Sequence, residues 1–333
     1  MGLSWPYHFV SLTQEEVLQR RELLDRRGQI AQWSILMAII GIKYLQSWTK
    51  ASQAGGRQRG AASWWDHSIV TGWLESRRQY AICGLWLLWL LSLCVWNSGD
   101  GMDLSHLRLR TPVDNKLTYL QDYLHLTKAL GHVALSQLPL QVLMSPAAYI
   151  STSKPAAASI FSFLTSVSQS TLTPYHRLFG RMVILPLLFT HATLYLLFFI
   201  QSVDPEFGTL FAKRVQDLDV QCGISALLCA ISFLFFTKPR VAAPRDATKK
   251  AAGSIQERRT SFYWGHISLA AFLCASVYYH VVYAQKYMLQ TMGAFVLNGV
   301  FSWAAVRWAA LTRHRNESTT LAMAIAVLFS LLV

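Results

Sequence analysis

Long apolar blocks broken by short polar, basic stretches set the pattern of this chain. A helix needs about 20 apolar residues to cross a hydrocarbon core of roughly 30 Å. Seven blocks reach that length, at about 30–48, 79–97, 118–145, 177–201, 219–237, 262–284 and 289–311. An eighth, Leu321 to Val333, is apolar but only 13 residues long. The expected fold is all-α: a polytopic membrane helix bundle of seven spans with a possible short eighth. Residues 1–29 form a polar N-terminal segment without the apolar core of a signal peptide. Residues 30–117 hold two spans and their loops, residues 118–311 the main bundle, and residues 312–333 a short tail. The stretches 49–64, 151–175 and 239–260 read as irregular or flexible connections.

Composition agrees with this pattern. Hydrophobic residues make up 53% of the 333 residues and charged residues 14%, against about one-quarter charged in a soluble domain. Mean hydropathy is +0.30. The net charge of +13 would suggest nucleic acid in a soluble protein. Here Lys and Arg cluster between apolar blocks, so no nucleic-acid partner is expected. The connections carrying Arg77 and Arg78, Lys154, the run from Lys238 to Arg259, and Arg313 with Arg315 are the richer set. Positive-inside logic puts these in the cytosol and the N-terminus outside, although Arg20, Arg21, Arg26 and Arg27 dissent. The five cysteines lie in apolar blocks with no CxxC spacing. They read as small buried hydrophobes rather than disulfide or zinc ligands.

Ionisable residues at bilayer depth are costly, and they point to function. His176 and His191 lie 15 residues apart on the fourth block; His266 and His280 lie 14 apart on the sixth. At 1.5 Å per residue these spacings cover about 21–22.5 Å. Each helix therefore carries one imidazole near either membrane face. Fourteen residues keep a common face, whereas fifteen overshoot by about 60°; Pro186 between them is placed to loosen the turn. The two blocks run parallel, so His176 is level with His266 and His191 with His280. Facing imidazoles at two depths suit two bis-His porphyrin irons. A proton or metal-ion pathway, and simple packing, stand as the other readings. His125 and His132 share a face of the third block and could line a cavity, pair with a propionate or bond locally. His8, His67, His106 and His314 lie in polar segments.

The run Pro174-Tyr-His-Arg-Leu-Phe-Gly-Arg181, continuing to Leu-Phe-Thr-His-Ala-Thr-Leu-Tyr195, resembles the ferric reductase transmembrane domain, whose core NADPH oxidases share. Ala129-Leu-Gly-His-Val-Ala134 and Ser261-Phe-Tyr-Trp-Gly-His266 are similar to helices of the same family. The opening Trp5-Pro-Tyr-His-Phe-Val10 is similar to filamentous-fungal members. The resemblance implies a six-helix haem core. It also implies two b-type haems, held by His176 with His266 on the inner side and His191 with His280 on the outer. Arg177 and Arg181 then sit by the inner site, either as propionate partners or as positive-inside anchors.

Family members continue into a flavin and nicotinamide module, whereas this sequence ends at Val333. The expectation is that FAD and NADPH act only through a flavoprotein reductase, cytosolic or membrane-bound. Electrons would leave to a ferric chelate, dioxygen or an organic acceptor, from the plasma membrane or the endoplasmic reticulum. An oxidoreductase recruited to an organic substrate in a fungal biosynthetic pathway is the alternative, and a His-lined transporter or scaffold a second. The 15-residue spacing departs from the family's usual 14.

Overall fold

The computed structural model describes residues 14–53, 64–69, 75–95, 123–145, 159–236 and 250–311. Among these the fold is all-α, apart from one isolated bridge between Ser68 and Ser76. The helices are α1 (Gln14–Gln53), α2 (Arg77–Val95), α3 (Tyr123–Ser136), α4 (Leu138–Leu143), α5 (Ile160–Thr165) and α6 (Gln169–Phe179). After a π turn at Gly180–Ile184 come α7 (Leu185–Gln201), α8 (Leu210–Arg214), α9 (Leu218–Phe236), α10 (Lys250–His280) and α11 (Gln285–Leu311). Three stretches among the described residues are long and apolar enough to cross a membrane: Arg77–Val95, Gln169–Gln201 and Leu218–Phe235. The tail from Leu321 and the sequence around His106 lie outside the described residues.

Large apolar side chains face outward. On α11, Leu289, Met292, Val296, Val300 and Trp303 are all exposed, at the spacing of one helix face. Trp33, Met37, Ile40 and Tyr44 do the same on α1. Polar residues instead lie inside: Thr127, Ser136, Gln137 and Ser302 are fully buried, and Asn298 nearly so. Burying amides while exposing aromatic and aliphatic side chains fits a lipid solvent, where polar groups serve to join helices. Asn298 does so three times over. Its Nδ2 donates to Val142 O at 3.1 Å and Ser145 O at 3.0 Å, while its Oδ1 accepts from Ile160 N at 2.9 Å. Gln169 acts likewise, donating to Met144 O at 3.0 Å and accepting from Ser159 N at 3.0 Å.

All three stretches read as connections are helical in part, and the first of them, 49–64, holds the end of α1 at Gln53. Residues 169–175 belong to α6, because the Ser168 hydroxyl caps its start by accepting from Thr171 N at 3.4 Å. A Ser at this position supplies what the first free N–H groups need. Residues 250–260 belong to α10. Their Ala, Gln, Glu and Arg content favours a helix, but hydropathy is blind to a polar helix. In the same way α1 runs back through polar residues to Gln14.

The helices that carry the central histidines each have a neighbour. α3 packs against α7, α9 against α10 and α7, and α4 against α11. Cys83, Cys94 and Cys229 are buried, and all five cysteines are free thiols.

Candidate functional site

Two histidines face each other between α6 and α10. The rings of His176 and His266 lie 6.3 Å apart between centroids, at 66°. Two imidazole nitrogens sharing one metal at about 2.0–2.1 Å each, with roughly 1.1 Å from nitrogen to ring centre, would separate the centroids by roughly 6.3 Å. The observed centroid separation equals that figure. His191 on α7 and His280 on α10 are within electrostatic range of one another.

The second ring nitrogen of three of these histidines is engaged. His176 Nδ1 lies 2.8 Å from Gln141 O, His191 Nδ1 2.7 Å from Thr127 O, and His280 Nδ1 2.6 Å from Asp219 O. A carbonyl oxygen can only accept. Each Nδ1 must therefore donate its proton, which leaves the Nε2 lone pair free to bind a metal. A backbone carbonyl on the far nitrogen is the usual support of a metal-bound imidazole. His266 differs: its Nδ1 is buried with no hydrogen-bond partner. Aromatic rings hold it instead. Phe262 stacks on it at 5.5 Å and Phe233 meets it edge-on at 5.1 Å.

Glycine makes two of these hydrogen bonds possible. Within a helix the carbonyl of residue i points towards residue i+4. Four residues beyond Thr127 stands Gly131; four beyond Asp219 stands Gly223. A Cβ at Gly131 would lie 2.9 Å from the His191 ring, and one at Gly223 would lie 2.7 Å from the His280 ring. Both glycines cut a notch through which an imidazole reaches the carbonyl. Gly180 has a related role: a Cβ there would lie 2.9 Å from Gln141 Nε2, which donates to His176 O at 2.8 Å. Sequence reasoning missed these glycines. The available signal was their position inside apolar helices, where Gly costs about 1 kcal/mol relative to Ala and so needs a reason.

The 15-residue spacing is reconciled by the π turn at Gly180–Ile184, which lies between His176 and His191. A π bulge accommodates one residue beyond the α register. The remainder is a 14-residue α register, the same as from His266 to His280. The π turn, rather than a kink at Pro186, brings both imidazoles to one face. Pro186 stands just after it, within the continuous helix Gln169–Gln201.

The other predicted site residues lie nearby. Arg177 and Arg181 approach Glu75 Oε1 at 3.5 and 3.9 Å. His132, outside the four-histidine set, has its Nδ1 3.9 Å from Asp25 Oδ1 and its ring edge-on to Tyr287 at 6.1 Å. His125 is buried with Nδ1 unpartnered. His67 is exposed. Among the described residues no group of three or more His, Cys, Asp or Glu could hold a bare metal ion. Paired imidazoles suit a metal that brings its own equatorial ligands, as haem does.

No curated protein and no solved structure matches the chain. Residues 130–277, which include His176, His191 and His266 and stop short of His280, match the family model described as ferric reductase like transmembrane component, so that stretch of the chain is similar to that family.

Proposed function

We propose that this protein is a membrane cytochrome of the ferric reductase type that passes single electrons across the bilayer through two b-type haems. Seven helical segments form the spans, with the N-terminus outside. His176 and His266 hold the inner haem, and His191 and His280 the outer. The observation that carries this reading is the tautomer fixed on His176, His191 and His280 by main-chain carbonyls at 2.6–2.8 Å. It prepares each Nε2 for a metal before any metal arrives.

When bound, haem supplies a one-electron couple between ferric and ferrous iron. The protein's own residues do the rest. The carbonyls of Gln141, Thr127 and Asp219 orient the imidazoles, and Phe262 and Phe233 hold His266. The surrounding apolar helices exclude water. An iron held by two of these imidazoles would serve electron transfer rather than oxygen binding. Electrons enter on the cytosolic side from the reduced FAD of an NADPH-oxidising flavoprotein. They leave outside to chelated ferric iron.

Haem stoichiometry tests this. Purified protein should contain two haems per chain by pyridine hemochrome, with a Soret band and sharp bands on dithionite reduction. His191→Ala should keep the inner haem alone, and His266→Ala the outer alone. A folded, colourless preparation, or two haems retained after either change, would overturn the reading.

A further inference from the structure

A buried acid lies against the two arginines that follow His176 in sequence. Glu75 sits just before α2 and is only 2% exposed. Its Oε1 lies 3.5 Å from Arg177 Nη2 and 3.9 Å from Arg181 Nη2, and its Oε2 is buried with no hydrogen-bond partner. Arg181 also donates to the Tyr80 hydroxyl at 3.3 Å. Arg177 is the residue after His176, and Arg181 is the second residue of the π turn. The cluster is thus tied to the helix that carries the inner ligand, on the same side as that ligand.

A buried, incompletely hydrogen-bonded carboxylate is a poor source of stability, because desolvation offsets most of the attraction. Its fixed charge, however, acts strongly at short range in a low-dielectric surrounding. Oxidation of an iron adds one positive charge. A nearby carboxylate favours that form and lowers the reduction potential, while a nearby guanidinium does the opposite. Two arginines against one carboxylate leave the cluster with a net charge of +1. Without Glu75 it would be +2.

We propose that Glu75 sets the potential of the inner haem, keeping it below that of the outer haem so that electrons run outward. This rests on the two-haem reading above. Glu75 acts through the field of its carboxylate and through the two arginines it positions, and it touches no reacting atom. The arginines spend part of their charge on a protein carboxylate, so they are not reserved for haem propionates.

The test is a redox titration of the purified two-haem protein, followed in the visible bands, with H191A used to assign the inner wave. In E75Q the inner midpoint should rise and the outer stay unchanged. In R181Q, which removes a positive charge from the same cluster, the inner midpoint should fall. E75D should keep the wild-type order. E75Q should also slow electron delivery to external ferricyanide while the inner haem is still reduced from the donor side. A role limited to anchoring the chain before α2 predicts shifts of the same sign in E75Q and R181Q, or none, and either result would overturn the proposal. Should E75Q fail to keep its haem, R181Q decides by itself: an inner midpoint that does not fall overturns the proposal. A wild-type protein without haem sinks the two-haem reading instead, so the two failures are distinguishable.

Discussion

The two histidine pairs are built differently. At His191 and His280, the proposed outer pair, both rings are tied to main-chain carbonyls and seated in glycine notches at Gly131 and Gly223. At His176 and His266, the proposed inner pair, only His176 is tied in this way, by Gln141 O. His266 is held by Phe262 and Phe233 with its Nδ1 unpartnered. One pair is fixed by hydrogen bonds of defined direction, the other partly by packing, which tolerates rotation. The outer pair should therefore resist small perturbations of the aromatic shell and fail abruptly when a notch is filled. The inner pair should respond more gradually.

The largest effect is expected from register. One alanine inserted into α10 between His266 and His280 turns the second ring about 100° away. The haem count should then fall from two to one. Deleting one residue from the π turn, such as Val183, should instead preserve both haems, because a plain α-helix then restores 14 residues. Pyridine hemochrome reads both variants. Equal loss in the two would contradict the account of the 15-residue spacing.

Filling a notch comes next. Gly131→Ala and Gly223→Ala push a methyl into His191 or His280, at 2.9 and 2.7 Å. Overpacking of this kind costs about 1–3 kcal/mol, and losing a ligand's orienting bond costs about 10–100-fold in metal affinity. The outer haem should be depleted selectively. Gly265→Ala is the matched control: it adjoins His266, yet its Cβ would meet nothing within 4 Å. It should leave both haems in place.

A smaller effect is expected at the inner pair. Phe262→Ala removes the ring stacked on His266 and should broaden the inner haem's spectrum, with its occupancy reduced by less than in the glycine variants. An effect confined to the outer haem would reverse the comparison.

The smallest effect lies outside the membrane helices. Asp204 accepts a hydrogen bond from Lys213 at 3.1 Å and from the Glu206 and Phe207 amides at 3.0 and 3.2 Å. The Lys213 ammonium first, and these amides after it, hold its carboxyl below the usual range. Its contribution to the turn is therefore complete above the ordinary Asp value of about 3.9. It is lost as pH falls through the lower, folded-state value. Amide exchange at Glu206 and Phe207 should stay slow at pH 5 in the native protein and be fast there in Asp204→Asn.

Much of this site was legible in the sequence. His176, His191, His266 and His280 stand out because imidazoles are rare at bilayer depth, and their spacing implied two levels. Their supports were harder to read. Every residue has a carbonyl, so nothing marks Gln141, Thr127 or Asp219 as the acceptors. Glu75 comes from a polar stretch remote in sequence from the helix it meets. The polar beginnings of α1, α6 and α10 escaped a reading based on hydropathy, since capping and propensity rather than apolar runs define them.

The π turn has a consequence for how such chains diverge. A helix that already stores a surplus residue in a bulge can gain or shed one in descent without unseating what it carries. α10, regular from Lys250 to His280, has no such reservoir. Length variation among related sequences should therefore collect between His176 and His191, while the interval between His266 and His280 stays constant.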